Sequence, residues 1–261
     1  MSRNQLSANV LLTSTGPKHK VPTYLHRPFV CFGHRGACGY APENTLRAFD
    51  LAIQQGVDGI ELDVQQVDDE LLVFHDKTLN RTTNGVGWIT DFPVSVLRTL
   101  DAGDGERIPL LSEVLTLVNQ RVCVNIEIKD HQSAEAVASL VTDCVQQHHW
   151  PYEALLISSF DFDQLRRVHN ANPAIPLGVL CENNLDEALV FAEEHAAFSM
   201  HPSLTCVNES FVEQAHGTGF KVYVFTVNEL ADVARMIAWG VDGVFSDVPD
   251  RVLAHLPFMP S

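Results

Sequence analysis

Two stretches, GIELDVQ at residues 59–65 and CVNIEIK at 123–129, decide how this chain folds. Successive side chains of a β-strand point to opposite faces. Glu61 and Asp63 therefore share one face, with Ile60, Leu62 and Val64 on the other. Asn125, Glu127 and Lys129 oppose Val124, Ile126 and Ile128 in the same way. Both stretches lie between helical patterns, where a strand belongs to a parallel sheet covered on both faces. A bare carboxylate buried there costs more than a fold can absorb. The simplest partner for Glu61, Asp63 and Glu127 is one hard divalent cation. Oxygen ligands suit Mg²⁺ or Ca²⁺ rather than Zn²⁺.

Outward from these strands the text alternates. Strand-like runs fall at 29–35, 59–64, 123–129, 155–160, 175–180, 197–201, 221–228 and 243–247. Helical patterns lie between them, at 44–55, 112–119, 134–148, 162–170, 185–195, 209–217 and 229–239, with a short helix after Pro249. Eight βα units predict an α/β fold of the TIM (β/α)8 barrel class. One stretch departs from the alternation. QQVDDELLVFHD (65–76) carries the turn signal Asp68-Asp69 between two β-like runs, and so predicts a hairpin after the second strand. A turn centred on Asp69 sets Asp63 opposite His75 and Glu61 opposite Lys77. From about 79 to 110 the text is polar and glycine-containing, an insertion of the kind that forms a lid or binding loop. Trp88 is expected to pack within it. The barrel domain is expected over 28–256, with residues 1–27 as a loosely packed N-terminal leader.

Composition narrows the partners. With 17 Lys and Arg against 33 Asp and Glu, the net charge of −16 disfavours nucleic acid and anionic membranes. It leaves room for an anionic small molecule where a local cation reverses the field. No apolar run has the length of a membrane span. The 6 cysteines form no CxxC pair and several sit in strand-like runs, which predicts reduced thiols and a cytoplasmic location.

Other chemical residues cluster at predicted strand ends. His34-Arg35 closes the first strand, Glu43-Asn44 opens the first helix, His75-Asp76 closes the hairpin, and Thr226-Val227-Asn228 ends the seventh strand. Barrel enzymes build their sites at this face. A histidine with a pKa of about 6.5 exchanges a proton near neutral pH. Glu43 reads either as a site residue or as an acid favoured at a helix N-terminus. Asn44 reads equally as an N-cap, and Phe225 as core packing or a ligand contact.

The ordered series HRG (34–36), PENT (42–45), ELD (61–63), HD (75–76), EIK (127–129) and TVN (226–228) resembles the glycerophosphodiester phosphodiesterases from about residue 29 to 250. That resemblance implies a TIM barrel and metal-dependent hydrolysis of a small glycerophosphodiester to sn-glycerol 3-phosphate and an alcohol. It implies His34 and His75 as the acid/base pair and Glu61, Asp63 and Glu127 as metal ligands. Arg35 and Lys129 would be phosphate contacts, with Glu43 in the substrate site. The family usually has Trp before TVN, where this chain has Phe225, so the shape of the glycerol pocket differs. Two other readings share these residues: a barrel phospholipase-type lyase releasing a cyclic phosphate, and a non-catalytic binder of a phosphorylated ligand.

Overall fold

The computed structural model of the protein describes residues 27–256. The proposed leader lies outside them, apart from Arg27, whose guanidinium meets Asp58 at 3.1 Å. The strands are β1 (Val30–Gly33), β2 (Gly59–Val67), β3 (Glu70–Val73), β4 (Cys123–Ile128), β5 (Leu155–Ser159), β6 (Leu177–Cys181), β7 (Ser199–Pro202), β8 (Lys221–Val224) and β9 (Gly243–Ser246). The helices are α1 (Leu46–Gln55), α2 (Val94–Leu97), α3 (Leu111–Val118), α4 (Ala134–His148), α5 (Phe162–Ala171), α6 (Leu185–Glu194), α7 (Glu209–Gly217), α8 (Leu230–Ala238) and α9 (Pro249–His255).

All strands but β3 run parallel, in the order β1-β9-β8-β7-β6-β5-β4-β2, and a β1–β2 pairing closes the ring. This is the TIM barrel. Ile60, Leu62, Val64, Val124, Ile126 and Ile128 point outward into one apolar layer shared with the helices. Each such side chain contributes about 1.5–3 kcal/mol when fully buried. Inside the ring, Val30, Phe32, Cys123, Leu156, Tyr223 and Phe245 fill the lower half. Phe32 stacks on Phe245 with centroids 4.9 Å apart. The inward polar residues of β2 and β4 therefore sit above an aromatic floor.

The hairpin is present but shifted by one residue from the expected register. Val67 pairs with Glu70 and Val64 with Val73, so the turn is the two-residue Asp68-Asp69 with Asp68 in the left-handed region at φ 52. Asp63 consequently faces Phe74, whose N–H donates to the Asp63 carbonyl at 2.9 Å, and not His75. Lys77 is not opposite Glu61. The side-chain period of two explains why this register wins: it sends Leu71 and Val73 into the main core, and Leu72 and Val67 into a second one. That second core, with Phe74, Leu79, Ile89, Leu97, Ala102 and Ile108, is the anchor of the insertion. Trp88 is not part of it. It stands 54 % exposed, and its neighbour Ile89 packs in its place.

At the mouth, the turn after β1 is tight. Gly36 has φ +83, and a Cβ there would lie 2.5 Å from the Ala48 carbonyl carbon. Asn44 is not the N-cap of α1. Thr45 takes that place, its hydroxyl accepting from the Ala48 N–H at 3.2 Å.

Gly36→Ala should therefore cost about 1–3 kcal/mol from its left-handed backbone alone, with the clash in addition. The urea midpoint should fall accordingly; an unchanged midpoint would contradict this account of the turn.

Candidate active site

Adjacent strands bring the three acids together. Asp63 and Glu127 are register partners on β2 and β4, and Glu61 lies two residues below Asp63 on the same face. Their carboxylate oxygens fall within 4.8 Å of one another. Only 3 %, 1 % and 9 % of Glu61, Asp63 and Glu127 is exposed. Asp63 Oδ2 accepts from Asn44 Nδ2 at 2.8 Å and lies 3.3 Å from Arg35 Nε. Lys129 Nζ donates to Glu127 Oε1 at 2.6 Å and stands 3.7 Å from Asp63 Oδ1. Glu61 Oε2 accepts from the Arg35 N–H at 2.8 Å, but Glu61 Oε1 is buried without a hydrogen-bond partner.

The electrostatics follow from crowding. Burial, then Asp63 and Glu127, push the Glu61 carboxyl well above its usual range. Burial and Asp63 push Glu127 up to about 7. Burial would lower Lys129, but Glu127 and Asp63 outweigh it and raise the ammonium. Three buried carboxylates sharing one lysine and one arginine, with an orphaned oxygen among them, are undersupplied with positive charge. That donor set fits a hard divalent cation.

Each histidine leans on a carboxylate. His34 Nδ1 lies 2.6 Å from Asp247 Oδ1, and His75 Nδ1 lies 2.6 Å from Asp76 Oδ1. An ionised carboxylate only accepts, so each Nδ1 carries the proton and each Nε2 is left to exchange one. His34 Nε2 is 4.0 Å from Glu61 Oε2. Burial lowers the His75 pKa below its ordinary value. Arg81, and then His75, hold Asp76 below the usual carboxylate range. Asp247 is opposed by burial, yet hydrogen bonds from His34, Cys38 and Asn228 keep it low as well. Asn228 Nδ2 donates to Asp247 Oδ2 at 2.6 Å.

Glu43 is more than a helix-terminal acid. Its Oε1 accepts from Arg35 Nη1 at 2.7 Å, and Arg81 spans it and Asp76 with bonds of 2.6–2.8 Å. A continuous network thus runs Arg35–Glu43–Arg81–Asp76–His75. Phe225 sits half-buried at the rim, edge-on to Phe160 at 5.8 Å, with Lys129 Nζ 5.7 Å from the Phe160 ring centre. Arg81, Asp247 and Phe160 were not anticipated. Arg81 lay in insertion text with no pattern, Asp247 at the last strand end without a motif, and Phe160 at the end of the 155–160 strand pattern with nothing to mark it as a site residue.

Three buried polar residues of the barrel strands are engaged with other groups. His201 lies inside the barrel against Tyr223 and Phe245, fully buried, its Nε2 2.8 Å from Ser199 Oγ. Ser158 Oγ accepts from Asn125 Nδ2 and Ser159 Oγ donates to the Ile128 carbonyl; both are buried.

Comparison with known proteins gives a consistent result. The model of the Glycerophosphoryl diester phosphodiesterase family matches residues 34–251. A glycerophosphodiester phosphodiesterase of Caldanaerobacter subterraneus subsp. tengcongensis is 37% identical over 230 residues, 84% of this chain and 94% of its own length. One from Bacillus altitudinis is 36% identical over 235 residues, 85% of this chain and 96% of its own. The structure of an Oleispira antarctica phosphodiesterase in complex with its product sn-glycerol-3-phosphate superposes with a TM-score of 0.80 at 31% identity, covering 87% of this chain and 96% of that one.

The crowded acids predict a pH signature. Glu61 and Glu127 have folded pKa values above their unfolded ones, so both stabilise the cation-free protein at low pH; the Glu127 contribution is lost as pH rises through about 7, and the Glu61 contribution changes in the same direction. His75, whose pKa is depressed, acts oppositely only below its unfolded value of about 6.5. Above about pH 6.5 the acids govern, and the rise in melting temperature on adding a saturating divalent cation should grow toward pH 8. A cation-induced rise that does not change with pH would contradict the crowding.

Proposed function

Since this chain belongs to the glycerophosphoryl diester phosphodiesterase family and has its activity, we propose how it works: glycerophosphodiesters are hydrolysed to sn-glycerol 3-phosphate and an alcohol by His34 and His75 acting beside one divalent cation, Mg²⁺ or Ca²⁺. The observation that carries this reading is the acid trio with its orphaned Glu61 oxygen, flanked by two histidines that each rest on a carboxylate. A cation held by Glu61, Asp63 and Glu127 supplies Lewis-acid stabilisation of charge on the phosphoryl oxygens.

The chain's own groups do the rest. Six carboxylates at the mouth (Glu43, Glu61, Asp63, Asp76, Glu127, Asp247) meet three cationic side chains (Arg35, Arg81, Lys129), so the empty mouth repels an anion. A bound divalent cation would offset two of those three excess negative charges and set positive charge beside the phosphate. Arg35 and Lys129 then orient the phosphoryl oxygens and stabilise the added charge of the transition state. Glu43 holds the Arg35 guanidinium in place, and Phe225 packs on the glycerol carbons. One histidine takes the proton of the attacking hydroxyl and the other protonates the leaving alkoxide through Nε2. The attacking group is the substrate's own 2-hydroxyl, whose effective concentration is high; water then opens the cyclic phosphate. A covalent serine intermediate has no support: Ser158 and Ser159 are hydrogen-bonded away, and Ser199 with His201 is sealed in the barrel. A cytoplasmic setting accords with thiols such as Cys31 and Cys181 buried in the barrel.

His34→Ala and His75→Ala should each lower kcat by on the order of a hundredfold or more with the fold intact. A nitrophenyl leaving group should rescue only the variant that has lost the acid. Near-normal turnover of an unactivated diester by either variant would remove that residue from the mechanism. Chelator treatment should abolish turnover, and Mg²⁺ or Ca²⁺ should restore it; full activity without metal would sink the cation's role. The 2-deoxy analogue of glycerophosphocholine should be inert, and equal turnover of the two diesters would make water the nucleophile.

A further inference from the structure

A second group of donors lies beside the acid trio and has a different chemistry. A ring nitrogen of His34, Cys38 Sγ and an Asp247 carboxylate oxygen fall within 4.8 Å of one another. Asp247 Oδ1 is the hub, 2.6 Å from His34 Nδ1 and 3.0 Å from Cys38 Sγ. Asn228 Nδ2 holds the other oxygen of Asp247 at 2.6 Å. The trio thus stands on a fixed carboxylate rather than on mobile surface side chains.

We propose that His34, Cys38 and Asp247 form a binding site for a thiophilic divalent ion such as Zn²⁺, and that filling it shuts the enzyme off. The two metal sites differ by donor type. The three carboxylates offer only oxygen, which suits Mg²⁺ or Ca²⁺. One nitrogen, one sulfur and one oxygen make a zinc donor set, which a water molecule would complete. The thiol is not sealed in. It borders a cavity of about 530 Å³ lined also by Glu43, Arg81 and Asp101, which gives the ion a path.

The proton balance is simple. The ion binds the Cys38 sulfur as thiolate, so one proton leaves to solvent. It also takes the Nδ1 lone pair of His34, and the proton that Nδ1 shared with Asp247 moves to Nε2 through solvent. His34 then presents a fixed N–H at Nε2, with its other nitrogen tied to the ion. It can no longer cycle between base and acid. Loss of turnover rests on the catalytic role proposed for His34; the binding does not.

The test separates the two. Protein saturated with Mg²⁺ is titrated with Co²⁺, a spectroscopic stand-in for Zn²⁺. Wild type should develop the near-ultraviolet charge-transfer band of a thiolate bound to Co²⁺. Cys206→Ser should keep the band. Cys38→Ser and Cys38→Ala, checked for native melting, should lack it. In turnover assays with Mg²⁺ in excess, Zn²⁺ should inhibit wild type at a concentration at least tenfold lower than it inhibits Cys38→Ser, each relative to its own zinc-free rate. No thiolate band in wild type, or a band that survives both Cys38 variants, overturns the site. Equal zinc sensitivity of wild type and Cys38→Ser overturns the inhibition. A Cys38-dependent band without inhibition upholds the site and counts instead against His34 as acid or base.

Discussion

Mutual repulsion among three buried carboxylates is the constraint on which the mouth of this barrel depends. Asp63 and Glu127 cannot move apart, because they are register partners on hydrogen-bonded strands, and Glu61 is fixed two residues along the same strand. The surrounding positive charge is arranged to offset them. Lys129 is aimed at Glu127, Arg35 at Asp63, and the Arg35 N–H at Glu61. One carboxylate oxygen is still without a partner. A strand pair that buries three acids and leaves one lone pair unsatisfied suits a cation, which brings more charge than two side chains can.

The same logic extends outward through the second layer of groups. Arg35 is needed by Asp63, so Glu43 holds it from behind; Glu43 is held by Arg81, Arg81 by Asp76, and Asp76 orients His75. On the far side, Asn228 fixes Asp247, which orients His34. Both histidines are therefore locked in tautomer and direction by carboxylates kept ionised by their own partners. The insertion after the hairpin contributes Arg81 to this frame and carries its own small core, so it behaves as part of the site and not as a loose flap.

Much of this was legible in the sequence, for a physical reason. A parallel strand buried on both faces should be apolar throughout, so acids at every second position in GIELDV and an acid and a lysine in NIEIK stood out against that background. Predicted strand ends located His34 and His75, and a predicted helix start located Glu43. What escaped was set by tertiary packing. The hairpin register hinged on whether the turn centred on Asp69 or on the Asp68-Asp69 pair, a half-residue difference that only the two apolar cores decide. Trp88 has the size of a residue that packs within the insertion, but its exposure reflects Ile89 taking the inward position. Arg81 meets Glu43 across 38 residues and Asp247 meets His34 across 213, separations that no local pattern marks.

The most direct measurement of the central claim is anomalous scattering from crystals soaked in Mn²⁺, a hard divalent ion with the oxygen preference of Mg²⁺. The account predicts one strong anomalous peak within bonding distance of carboxylate oxygens from Glu61, Asp63 and Glu127, absent from Glu61→Gln crystals treated alike. A map with no peak at the trio, or the same peak in the Glu61→Gln crystals, would contradict it.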